Sequence, residues 1–291
     1  MFKKIFNIKR LNSFFSAILV FIIMEILVFY PSFILLLSLF IVGIIFFSVW
    51  RILPKSFSVK KEPNNGNIIL FKIINISKIV LTDKNYLFFI APFFLFLGAI
   101  SFLLFLRNIL FIHSSILLFS FFYFLFLETL FFYFYSPSFL ENSDILAQEQ
   151  KDYFIENIFT IIDLLSLFFI YSTLFSLLYL FNFSLTKIIL LVIFVSFLSN
   201  HYLFFIYKVP DKISYLYNII ITLLTVEFFW GISFLPINFY VDSLILISVY
   251  YVIIGMAYFH FKKKLDKTKV LRHLLISLII IILAMITAKW T

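Results

Sequence analysis

Long apolar runs alternate along the chain with short clusters of charge and proline. A helix needs about 20 mostly apolar residues to cross the hydrocarbon core of a bilayer. Read at that length, the runs predict helices near 11–30, 32–50, 85–106, 109–135, 156–180, 187–207, 213–235, 243–261 and 270–288. The expected fold is all-α, a polytopic transmembrane bundle of nine spans forming one integral-membrane domain over residues 1–291. An odd number of spans puts the two termini on opposite sides.

The charges between the runs test that threading, because Lys and Arg in short loops stay cytoplasmic. With the N-terminus inside, 20 of the 23 basic residues fall on the inner side, and only Arg107, Lys187 and Lys289 fall outside. One helix more or fewer would turn the run KKKLDKTK at 262–269 outward, against the same rule. The expectation is therefore an N-terminus in the cytoplasm, a C-terminus outside, and a cell-membrane (inner, cytoplasmic membrane) location. The opening MFKKIFNIKR has the shape of a secretory signal, yet the apolar stretch after it outruns a signal h-region and no small-x-small site follows. It reads as a retained first helix.

Two inner loops are longer than the rest. The basic loop 51–84 starts as a turn-rich linker and continues with Lys72, Asn75, Lys78 and Thr82 on one face of a helix suited to anionic lipid. A solvated connector is the equal alternative. The acidic loop 136–155 carries Glu141, Asp144, Glu149 and Asp152. The partners expected are the lipid bilayer, anionic lipid at the inner basic loops, and other membrane proteins.

Composition narrows the classes. Residues are 64% hydrophobic and 13% charged, with a mean hydropathy of +1.14, where soluble domains carry about 25% charge. The net charge of +9 follows from topology, so nucleic acid is not an expected partner. Forty-six Phe and sixteen Tyr stand against five Gly, with no G-x-x-x-G pair, so large rings are expected to supply most helix packing. The chain has no Cys, which excludes disulfides, thiolate metal sites and Cys nucleophiles.

Chemistry then rests on a few carboxylates. Glu25, Glu128, Asp163 and Glu227 fall inside predicted spans, where a charge costs about 2.5–3.5 kcal/mol by insertion measurements, so they are expected to face the bundle interior or carry a proton. Each Glu precedes aromatic residues and a proline: EILVFYP, ETLFFYFYSP and EFFWGISFLP, on spans one, four and seven. That spacing suggests three-helix units near 1–84, 85–186 and 187–291, alternately inverted as in many secondary transporters. Counted from the inner surface, Glu128 and Asp163 lie roughly 10 Å deep, and His201 beside Asn200 in LSNHY is close to the same level. These three are expected to meet. Glu25 and Glu227 lie in the outer half, with Arg107 as counter-charge and Trp230 beside Glu227. His113, His260 and His273 read as interfacial, and Trp50, Trp230, Trp290, Tyr250 and Tyr251 as an aromatic belt.

The sequence has no G-x-x-x-x-G-K-[ST], G-x-G-x-x-G, H-E-x-x-H or G-x-S-x-G. No catalytic residue, metal site or cofactor is assigned. The leading reading is a transporter- or permease-like protein whose buried acids bind a cation or proton. The alternatives are a non-catalytic membrane subunit that scaffolds an envelope complex, and a small enzyme acting on lipid or polyprenyl substrates. The last would need a groove open to one leaflet and a basic phosphate site, for which Arg51, Lys55 and Lys208 are placed.

Overall fold

A computed structural model describes residues 2–53, 85–106, 108–135 and 145–288. Among them are nine α-helices and no strand: α1 (Phe2–Phe29), α2 (Ile34–Ile52), α3 (Ile90–Leu103), α4 (Ile109–Tyr135), α5 (Ile145–Phe181), α6 (Leu185–Ile206), α7 (Asp211–Ile232), α8 (Phe239–Phe261) and α9 (Lys267–Thr287). All nine are long and apolar enough to cross a membrane, α3 together with the 3-10 turn Asn85–Phe89 ahead of it, which makes this a multi-pass membrane protein. Every predicted span is matched by one helix. The basic loop from residue 54 onward, with Lys55 and the face of Lys72, Asn75 and Lys78, lies outside the described residues, as do Arg107, Trp290 and most of the acidic loop.

The acidic loop is shorter than expected. Helix α5 begins at Ile145, because DILAQEQKDYFIEN holds helix-forming Ala, Gln, Glu and Lys with no breaker. Residues with polar side chains can continue a helix beyond the apolar run, and hydropathy alone does not mark that boundary. Glu156, taken as the loop's end, is buried in mid-helix.

Local chemistry sets the other ends. Asn108 and Asn238 accept hydrogen bonds from the backbone N–H groups of Leu110 (2.9 Å) and Tyr240 (3.4 Å), capping α4 and α8. Pro31 opens a 3-10 turn, Pro31–Phe33, that joins α1 to α2. Helices α6 and α8 close through left-handed residues, Lys208 (φ 59°) and Lys263 (φ 53°). The following N–H groups of Val209 and Lys264 reach back to the carbonyls of Phe204 and Phe259, the Schellman arrangement that satisfies terminal carbonyls.

The helices group into two compact units, Met1–Phe93 with His113–Phe159, and Phe94–Ile112 with Thr160–Thr291. In the first, α1 packs on α2, and Phe88 lies within 5.2–5.6 Å of the rings of Phe134 and Tyr133. In the second, α6 packs on α7, α7 on α8 and α8 on α9, while Phe175 of α5 stacks on Phe229 of α7 at 4.3 Å. Rings thus fill much of both interiors, as the composition implies. Two glycines do the opposite work. A Cβ on Gly98 would stand 2.9 Å from the Phe169 Cβ and 3.1 Å from the Ile170 backbone nitrogen, and one on Gly255 would stand 2.9 Å from the His273 ring. At Gly98 the α5 backbone lies close, and at Gly255 the His273 ring of α9 fills the space. His273 is therefore packed on α8, against Tyr251 (4.7 Å) and Phe259 (5.5 Å), where a headgroup contact was expected.

Gly98→Ala should destabilise the protein by about 1–3 kcal/mol through overpacking against backbone that cannot retreat. Gly231→Ala, with open space around its Cβ position, should instead gain about 0.5–1 kcal/mol of helix stability. Thermal unfolding of both variants in one detergent checks the pair.

Candidate functional site

In the second unit a continuous chain of polar side chains runs through the helix interior. Asp163 of α5 accepts a hydrogen bond at Oδ2 from the Ser199 hydroxyl of α6, at 2.5 Å. The Ser199 and Tyr250 hydroxyls are 3.3 Å apart, and Tyr250 of α8 donates to Asn200 Oδ1 at 2.7 Å. Asn200 Nδ2 donates to the Thr222 hydroxyl of α7 (3.1 Å). Thr222 donates to Asn218 Oδ1 (3.3 Å), and Asn218 Nδ2 donates to the Phe197 carbonyl (3.1 Å). Each of these side chains is buried, and Asp163, Ser199, Asn200 and Asn218 are fully so. The chain ties together four helices, and Tyr250 and Thr222 sit near the middle of theirs. Asp163 Oδ1 is buried and has no hydrogen-bond partner among the described residues.

A second buried acid follows toward the other end of α5. Asp242 is fully buried and accepts a hydrogen bond from the Tyr179 hydroxyl at 2.7 Å; its Oδ1 too is buried without a partner among the described residues. Between the two acids, Tyr171 bonds Ser196 (2.8 Å) and Ser172 bonds Ser243 (2.6 Å). One face of α5 thus reads Asp163, Ser166, Ser172, Ser176, Tyr179, spaced mostly by three or four residues. Sealing these groups inside is how a helix carries polar side chains through hydrocarbon.

The first unit holds two contacts between an acid and a basic side chain. Arg10 Nε lies 2.8 Å from Glu128 Oε2, its guanidinium 5.8 Å over the Phe132 ring. Glu128 is buried while the Arg10 side chain is 54% exposed, so the arginine brings its charge in from the surface along the helix. Glu25 Oε2 lies 2.7 Å from His113 Nδ1.

The predicted site residues are thus distributed differently from expectation. Glu128 has Arg10 as its partner, and Asp163 has Ser199. Asp163 meets the neighbour of Asn200, and His201 stacks on Tyr215 of α7 at 5.8 Å. Glu25 has found His113, a residue read as interfacial. Glu227 is exposed on α7, and Trp230 is 51% exposed with its edge toward Phe234; the expected turn of this carboxylate toward a neighbouring helix is not what the fold makes of it. Arg107 lies outside the described residues. The three glutamates that share a local sequence pattern therefore have three different surroundings. Tyr250, read as part of the aromatic belt, is 1% exposed and central to the polar chain.

Asp242, Asn218, Thr222 and the α5 serines were not singled out. Asp242 was placed in a loop because helix eight was started at 243, and the Asn238 cap that moves the start to Phe239 was the signal for including it. The serines and threonines carry their signal in the 3–4 residue spacing along α5 and α7, which a search for charges passes over. No group of three or more His, Asp or Glu able to hold a metal occurs among the described residues. Compared with known protein families, curated proteins and solved structures, the chain matches none.

Tyr250→Phe removes the donor to Asn200 and should cost about 1 kcal/mol, in the range of interhelical bonds in membranes; Tyr215→Phe, at an exposed position, should leave stability unchanged. Arg10→Gln should cost more alone than in combination with Glu128→Gln, with a coupling of about 0.5–3 kcal/mol in a double-mutant cycle.

Proposed function

We propose that the protein is transporter- or permease-like, threaded through the cytoplasmic membrane with its N-terminus inside and its C-terminus outside, and that Asp163 binds a proton or a small cation. The observation that carries this reading is a fully buried carboxyl with one oxygen unpartnered among the described residues, set in a chain of hydroxyl and amide groups from four helices. A buried acceptor left without a donor costs about 1–3 kcal/mol, and a bound proton or cation removes that cost. Oxygen donors suit hard cations rather than soft transition metals. A single carboxylate among neutral oxygens balances one positive charge, which favours a proton or a monovalent ion over a divalent one. Intramembrane acids of this kind mark ion pathways and proton relays. The three-helix inverted units suggested by the sequence belong to this proposal, as the means of alternating access.

A second reading has its own support. Asp163 is sealed between helices, as a structural tether in a non-catalytic scaffold subunit would be. The two readings part in one experiment. Purified wild type and Asp163→Asn are melted across pH and in Na⁺, K⁺ and Mg²⁺, with Asp242→Asn beside them. A cation that binds only the folded state stabilises it by mass action, about 2.7 kcal/mol at a hundredfold excess over Kd. For the transporter reading, wild type gains stability with one monovalent ion or with falling pH, and Asp163→Asn loses that dependence while remaining folded. If neither ion nor pH distinguishes wild type from Asp163→Asn, the transporter reading fails and the scaffold reading stands.

A further inference from the structure

The protein also holds a cavity lined by polar and apolar side chains. It is a groove of about 660 Å³ between α1 and α2, within the first unit. The two helices run antiparallel, so residues near the start of α1 and the end of α2 share one end of it. That end is polar and cationic, with Asn12, Ser13 and Ser16 on α1 facing Ser48 and Arg51 on α2. The opposite end, at Leu19, Leu39 and Phe40, is apolar. Between them Gly43 keeps the wall open, since a Cβ there would meet nothing within 4 Å. From Arg51 to Leu39 is twelve residues of helix, about 18 Å, comparable to the depth of one leaflet's hydrocarbon, about half of 30 Å.

Two polar groups at the cationic end lack partners among the described residues. Arg51 is exposed, with only the Phe47 ring near it at 6.0 Å and no acidic partner. Asn12 Nδ2 is buried without an acceptor. Tyr123 of α4 is fully buried, with its hydroxyl toward Ser16 and Ser48. Arginine and amide donors at the mouth of an apolar slot match a phosphate that carries a hydrocarbon tail, because the guanidinium offers a planar set of N–H groups to phosphate oxygens.

We propose that this groove is a binding site for one phospholipid, its phosphate held by Arg51 and Asn12 and one acyl chain lying along Leu19, Leu39 and Phe40 past Gly43. This assignment does not depend on the transport reading. An acyl chain in the slot covers apolar surface of both helices, and the phosphate supplies the counter-charge that Arg51 lacks among the described residues.

Native mass spectrometry of the full chain released from detergent, titrated with phosphatidylglycerol or with diacylglycerol of the same chains, tests the assignment. Wild type should retain one phosphatidylglycerol and bind diacylglycerol at least tenfold more weakly. Arg51→Gln should lower phosphatidylglycerol affinity about tenfold. Gly43→Phe should fill the slot and abolish retention, while an unchanged melting temperature without lipid and a single size-exclusion peak show that the variant folds. Inorganic phosphate at millimolar concentration should not displace the lipid, since the acyl chain carries part of the binding. Displacement by phosphate alone overturns the lipid assignment in favour of an anion site. Equal retention by wild type, Arg51→Gln and Gly43→Phe, or equal binding of the two lipids, overturns it outright. If Gly43→Phe is misfolded, Arg51→Gln and the comparison of lipids still decide.

Discussion

Hydrocarbon offers no hydrogen bonds, and that single constraint organises this molecule. A backbone polar group left bare in lipid costs several kilocalories per mole, so a chain with this much apolar sequence crosses the bilayer as helices. The same constraint acts on side chains. Asp163, Asn200, Asn218, Thr222 and Asp242 are turned inward and bonded to one another or to hydroxyls from neighbouring helices. The hydrophobic effect does little to hold helix to helix in lipid, so these interior bonds, together with close packing, are what specify which helices meet.

Packing follows from the composition. Phenylalanine fills the space between helices with stacked and edge-on rings, as at Phe175 and Phe229, and such pairs add about 0.5–1.5 kcal/mol beyond the area they bury. Rings also keep helix axes apart. The few glycines matter because they are the exceptions: at Gly98 and Gly255 a neighbouring helix comes within reach of the backbone, and these two contacts fix the position of α3 against α5 and of α8 against α9. Gly43 and Gly231 face open space, so the same residue type serves close approach at two positions and a groove wall or bare surface at two others.

Charge is handled in two ways. In the first unit the acids meet basic side chains: Arg10 reaches Glu128 from a half-exposed position, and the His113 ring bonds Glu25. In the second unit the acids accept from hydroxyls, Asp163 from Ser199 and Asp242 from Tyr179. The first arrangement neutralises a charge and anchors a helix. Glu128 Oε1, Asp163 Oδ1 and Asp242 Oδ1 are all buried without a hydrogen-bond partner among the described residues, but only Glu128 has an arginine on its other oxygen, and that is what distinguishes it from the two aspartates.

The number, order and approximate limits of the helices were legible in the sequence, because the length of an apolar run and the charges that bound it are local properties set by the thickness of the bilayer. So was the presence of acids within the spans. The partners of those acids were not legible. Which face of a helix turns inward depends on neighbours that hydropathy does not name, and in a chain where nearly every face is apolar the helical period carries little signal. Glu227, with the same local pattern as Glu25 and Glu128, is exposed, and Tyr250, which looked like a belt residue, is central. The sequence by itself determined that its long apolar runs form helices, nine of them among the described residues long and apolar enough to cross a membrane, since burial of backbone in hydrocarbon requires every backbone group to be bonded within the segment. Only the tertiary structure decided which polar groups meet, because a hydrogen bond between helices depends on rotation and register, and those are set by the packing of side chains far apart in the chain.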